Sequence, residues 1–215
     1  YSGDGGLAKD AQLNQPRGVF GDSSGNIYIA DTFNHCIRKV DPAGYIGTIV
    51  NFTRTAGYSG DGGLASIANL NIPEIVFVDP SGNIFITEFG NHTIRKVNTS
   101  GYISTVAGNG TSGYSGDCGN PASAQLNNPS SVFVNSFGIF IADTLNYRIR
   151  KVSPPILPKV MTASVTGITA TTANSGGNIV CDGGSPIIEK GVCWSTSSNP
   201  TTSNYNTQPQ FYLFG

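Results

Sequence analysis

Residues 25–50 read GNIYIADTFNHCIRKVDPAGYIGTIV. The segment NIYIAD alternates apolar and polar positions and is rich in β-branched and aromatic side chains, the pattern of a half-buried strand. Around it, DSSGN, TFNH and DPAG supply Gly, Asn, Asp and Pro where tight turns need them. Four short strands are therefore expected, at 18–21, 26–31, 36–40 and 45–50. The same text returns at residues 82–107 as GNIFITEFGNHTIRKVNTSGYISTVA, and in shortened form at 137–152 as FGIFIADTLNYRIRKV. Pro16, Pro73 and Pro129 align, as do Asp31, Glu88 and Asp143, and Arg38, Arg95 and Arg150, with 55 to 57 residues between copies. A period of that length built from strands signals a repeat architecture. Four antiparallel strands per copy is the content of a propeller blade.

Composition agrees with an all-β chain. Of 215 residues 28 are Gly, and 12% are charged, about half the usual share. The net charge is −1 and no basic run occurs, so the footprint of a nucleic-acid binder is missing. No apolar run approaches the ~20 residues of a membrane helix, so no membrane insertion is expected. An uncharged polar surface correlates with an extracellular or cell-surface location. The chain opens inside a repeat and without Met, which reads as part of something longer.

NHCIRKV, NHTIRKV and NYRIRKV, with the preceding LNQPRGV and the YSGDGG spacer, resemble the NHL repeat. The resemblance covers residues 1–152, in repeats of about 1–57, 58–113 and 114–152. It implies a β-propeller, nominally a six-bladed ring, of which this chain writes three copies. A half ring leaves open blade faces that need covering. Some NHL propellers are lyases and others bind RNA. The lyase needs a set of metal-binding histidines, and this chain has two histidines in all. The RNA binders need a basic face, and 12 Lys and Arg stand against 13 acids.

The hexapeptide at Tyr1, YSGDGG, recurs at Tyr58 and, as YSGDCG, at Tyr114. A calcium loop needs several converging oxygens. Each copy carries a single carboxylate, at Asp4, Asp61 or Asp117. The hexapeptide is read instead as a connector. Its glycines supply positive φ, and its Asp and Ser satisfy nearby backbone donors. Asp31, Glu88 and Asp143 with Arg38, Arg95 and Arg150 recur at one position per copy. A catalytic pair is normally unique in a chain, so these are expected to be structural ion pairs or turn caps. His35 and His92 occupy one turn position, and Tyr147 replaces them in the third copy. Two turn histidines lack a third ligand for a metal. No catalytic, cofactor-binding or metal residue is assigned, and no cofactor is expected.

Beyond residue 152 the text changes. Pro154, Pro155 and Pro158 make residues 153–158 a stiff linker. Residues 159–215 are rich in Thr, Ser and Val, with strands expected near 159–165, 171–181, 187–195 and 210–214. SGGNIVCDGGSPIIEKGVCWSTSSNP is similar to the Ig-like, fibronectin-III-like repeats of large secreted Bacteroidetes proteins. The resemblance implies a β-sandwich with Trp194 as its core aromatic. An Ig-type sandwich uses ~7 strands, and this stretch offers four or five. An incomplete sandwich invites strand complementation from a neighbour. Cys181 and Cys193 flank one hairpin and are candidates for a disulfide, whereas Cys36 and Cys118 lie in different copies and are expected to stay unpaired within the chain. Asn51, Asn91, Asn98 and Asn109 head sequons and are glycosylation candidates if the source is eukaryotic.

The expected protein is a non-enzymatic extracellular scaffold. Its partners would be other protein chains, including copies of itself, in a surface assembly or filament. The alternatives are a propeller that binds carbohydrate or peptide through one rim, and an NHL-type lyase.

Overall fold

The alternating segments fold as strands, each copy into its own antiparallel sheet. The structure, a computed structural model, describes residues 1–153, 159–169, 174, 176–181, 193–194 and 205–206. The chain divides into two units, Tyr1–Pro154 and Pro155–Gly215.

In the first unit, β1 (Gly18–Gly21), β2 (Ile27–Asp31), β3 (Cys36–Val40) and β4 (Ile46–Val50) form one four-stranded sheet in that order. β5 (Pro73–Val78), β6 (Ile84–Glu88), β7 (Thr93–Val97) and β8 (Ile103–Ala107) form the second. β9 (Pro129–Asn135), β10 (Gly138–Asp143) and β11 (Arg148–Val152) form the third, which has three strands among the described residues. The turns carry the chemistry expected of them. Asp22 Oδ1 accepts the Ser24 and Asn26 amides, both at 2.9 Å. Asp79 does the same for Ser81 and Asn83. In the third sheet the hairpin is one residue shorter, and Asn135 accepts the Phe137 amide at 2.8 Å instead.

The period-2 pattern gives every sheet two apolar faces, and each buried face meets the next copy. Tyr28, Ala30, Ile37 and Val50 of the first sheet pack on Leu70, Val76 and Ile86 of the second repeat. Phe85, Ile94 and Ala107 of the second pack on Leu126, Val132 and Ile141 of the third. Burying each such aliphatic side chain contributes roughly 1.5–3 kcal/mol. A ladder of rings crosses both contacts, with Phe20 and Phe77 centroids 4.9 Å apart and Phe77 and Phe133 5.5 Å apart. Among the described residues the faces at the two ends of the series lack such a neighbour. Val19 is 71% exposed, against 2% for Val76 and 3% for Val132 at the same register position. Ile149 is 72% exposed, whereas Ile37 and Ile94 are fully buried.

In the second unit, β12 (Lys159–Thr162) pairs with β13 (Gly177–Cys181), and β14 (Cys193–Trp194) pairs with β15 (Tyr205–Asn206). The side chains of Cys181, Cys193 and Trp194 lie outside the described residues, and so do the strand expected at 210–214 and the expected disulfide. No helix among the described residues is long and apolar enough to cross a membrane.

Candidate functional site: a repeated arginine clamp

The three aligned arginines sit at the third position of β3, β7 and β11. At β3–β4 and β7–β8 the pairing register shifts beside Arg38 and Arg95, leaving one extra residue in the outer strand. Each guanidinium is held from two sides. Arg38 Nη2 donates to Asp4 Oδ1 at 2.7 Å, and its Nη1 lies 3.8 Å from the buried Asp31 carboxylate. Arg95 repeats this with Asp61 at 2.7 Å and Glu88 at 3.1 Å. Arg150 lies between Asp117 and Asp143, the latter at 3.3 Å. The Ser2, Ser59 and Ser115 carbonyls accept from the same arginines. Tyr1, Tyr58 and Tyr114 cover the guanidinium carbons at 4.6, 5.0 and 5.1 Å from ring centre. Such a contact adds about 0.5–2 kcal/mol, more when desolvated.

The inner carboxylates also tie the segment ahead of each sheet to the turn between its second and third strands. Asp31 accepts from the Asn14 amide and from Asn34 Nδ2, at 2.7 and 2.8 Å. Glu88 accepts from the Asn71 amide, Asn91 Nδ2 and Thr93 Oγ1. Asp143 accepts from the Asn127 amide and Asn146 Nδ2. Burial pushes the Glu88 carboxyl up, against the pull of Arg95. Burial also pushes Asp4 up, but hydrogen bonds from Tyr1 and Thr48 and the Arg38 charge outweigh it, and the group sits below the usual carboxylate range.

The hexapeptide is thus a connector with a role its spacing alone did not show. Its Asp does not cap nearby backbone; it reaches an arginine 34 residues further on. A signal was available. Tyr, outer Asp, inner acid and Arg recur at offsets of 3, 30 and 37 in the first two copies, and 3, 29 and 36 in the third.

His35 and His92 are not brought together with other metal-ligand side chains. Among the described residues no three His, Cys, Asp or Glu side chains gather as a metal set. Both histidines adopt the left-handed conformation, with φ of 53° and 54°. Each reaches the next repeat: the Ile72 amide donates to His35 Nδ1 at 3.2 Å, and the Asn128 amide to His92 Nδ1 at 3.1 Å. A protonated ring cannot accept these bonds. Burial holds both imidazoles below the ordinary value of 6.5. The folded state therefore binds fewer protons than the unfolded state. The stabilisation is complete above pH 6.5 and is lost as pH falls from there through the folded values. Urea midpoints should decrease between pH 7.5 and pH 5, and the decrease should shrink in a His35→Gln, His92→Gln variant.

The remaining candidates separate by burial. Cys36 is fully buried, and burial, aided by Asp31, pushes its thiol up to about 12, leaving no thiolate for nucleophilic work. The Asn51 amide is buried and donates to the His35 and Thr55 carbonyls. The Asn91 amide donates to the Gly57 carbonyl and Glu88. Asn98 and Asn109 are exposed.

Comparison with known proteins places this geometry. The Teneurin NHL domain family matches residues 1–59. Teneurin-1 of Gallus gallus is 34% identical over 113 residues, which are 50% of this chain and 4% of that protein. A structural-genomics protein of unknown function from Bacteroides thetaiotaomicron superposes with a TM-score of 0.58 at 24% identity, over 68% of this chain and 38% of the other. An auxiliary nutrient binding protein from the same organism superposes at 0.51 with 22% identity, over 62% of this chain and 36% of the other. At these identities the structures speak for the fold alone. The chain carries an NHL-repeat segment made of propeller-like antiparallel sheets.

Proposed function

We propose that this chain is part of a secreted or surface-exposed, non-enzymatic interaction scaffold. Its NHL sheets serve as architecture, and residues 159–215 serve as an Ig-like spacer or assembly joint. One observation carries the reading. In all three repeats the same tyrosine, arginine and two carboxylates engage one another, so the recurring ionisable groups are already committed to holding the sheets. The kinship of residues 1–59 with the NHL domain of teneurins supports an interaction role.

The end faces supply the interaction surface. Val19 and Leu13 at one end, and Phe133 and Ile149 at the other, are the two halves of a contact that the chain builds twice internally. A second copy stacked head to tail would bury both halves. Such a contact is heterologous and either closes into a ring or continues as a filament. The 215-residue chain should therefore self-associate with rising concentration in sedimentation velocity. Val19→Glu and Ile149→Glu should each shift it toward monomer while leaving the far-UV circular dichroism unchanged. A wild-type chain that stays monomeric throughout would count against the scaffold reading.

A further inference from the structure

Among the described residues the third sheet has three strands, and the chain itself holds two templates for a fourth. In the first repeat the outer strand β4 is gripped on both sides. It pairs with β3 through Ile37, Arg38, Lys39 and Val40. On its other side the hexapeptide holds it: Gly5 donates to the Ile46 carbonyl at 2.8 Å, and Ile46 donates to the Gly6 carbonyl at 3.0 Å. The Tyr1 hydroxyl meets Thr48 Oγ1. The second repeat does the same. Gly62 donates to Ile103 at 2.8 Å, Ile103 donates to Gly63 at 2.9 Å, and the Tyr58 hydroxyl lies 2.8 Å from Thr105 Oγ1.

In the third repeat both walls stand, and no strand lies between them among the described residues. Among the described residues β11 is the edge of its sheet. Its hexapeptide keeps the same shape: Gly119 donates to the Gly116 carbonyl at 3.1 Å, as Gly6 does to Gly3. Burial records the gap independently. The Arg150 side chain is 11% exposed, whereas Arg38 and Arg95 are fully enclosed. The first residues of β3 and β7, Cys36 and Thr93, are buried, but Arg148 of β11 is exposed.

We propose that the edge of β11, faced by the third hexapeptide, is an acceptor slot for an extended peptide strand supplied by a partner protein. An exposed strand edge offers amides and carbonyls already spaced for a visiting strand, and side-chain positions on that strand give specificity. The two internal occupants define the chemistry. They read YIGTIV and YISTVA: after the tyrosine an aliphatic residue, a small residue, threonine, then two aliphatic or small residues. The threonine hydroxyl meets the hexapeptide tyrosine, here Tyr114. The visiting strand runs antiparallel to β11, as β4 does to β3 and β8 to β7.

The probe is a fluorescein-labelled synthetic peptide of residues 100–108, titrated into the full 215-residue chain and read by anisotropy. Saturable binding is expected. A peptide with Ser104→Pro and Val106→Pro, which removes ladder amides, should not bind. A Thr105→Val peptide should bind about 2–10-fold more weakly, the worth of one hydrogen bond. Hydrogen exchange should slow at Arg148–Val152 when peptide is present. The monomeric Val19→Glu variant should bind equally well, which separates this slot from self-association. Absence of saturable binding, equal binding of the proline peptide, or protection confined to other strands would overturn the assignment.

Discussion

Replacing Arg95 by Met should destabilise the NHL segment by about 3–5 kcal/mol, the cost of leaving a buried charge without its partner. Glu88 is wholly enclosed, and the Met side chain fills the space without supplying a donor. The loss should depend on pH in a definite direction. Burial already raises the Glu88 carboxyl, and removing the cation takes away what opposes that rise. A carboxyl whose folded pKa is raised favours the folded state below that pKa and disfavours it above. The deficit should therefore be largest at pH 8 and shrink on acidification. A Glu88→Gln, Arg95→Met double variant should recover much of the loss, because no charge then remains to be buried alone. Asp61→Asn, at the exposed end of the same clamp, should cost less than about 1 kcal/mol, because Asp61 is open to solvent and Arg95 keeps its pair with Glu88. Urea denaturation of the four proteins measures all of this. Equal losses for Arg95→Met and Asp61→Asn would show that the clamp is not organised by burial.

The second large effect separates two glycines of one hexapeptide. Gly60 and Gly62 both have positive φ, 91° and 79°. A Cβ on Gly60 would overlap Ala68, whose Cα lies 2.8 Å from the position it must take. A Cβ on Gly62 would meet nothing within 4 Å. Gly62→Ala should then cost about 1–2 kcal/mol, the backbone penalty alone. Gly60→Ala should add overpacking of about 1–3 kcal/mol to that penalty. The chain contains a natural counterpart of this experiment. At the Gly62 position the third copy carries Cys118, with φ of 68°, whereas Gly3, Gly60 and Gly116 are glycine in all three copies. Thermal unfolding of the two alanine variants tests the difference. If they melt alike, close packing of the hexapeptide against the Ala68 segment contributes nothing.

The strands were legible because alternation and turn chemistry are local. Those at 18–21 and 36–40 form as expected, and those at 26–31 and 45–50 begin one residue later, as Ile27–Asp31 and Ile46–Val50. The ion-pairing role of the repeated acids and arginines was legible from their recurrence. Its outer half was not, since no local rule joins Asp4 to Arg38; the sheet must fold before they meet. The role of the histidines was not legible for a similar reason: no local rule shows that the acceptor nitrogen of a turn histidine faces an amide contributed by the following repeat.

What the amino-acid text determined by itself is the repeat, its strands and its turns, because each depends on neighbours a few residues apart. What only the tertiary structure decided is which repeated side chains share a guanidinium, which glycine lies against an alanine, and which sheet is left with an open edge. Those outcomes depend on how the hexapeptide folds back on its own repeat, where it meets an arginine 34 residues on and an alanine of the following turn, and that packing is encoded by no single stretch of chain.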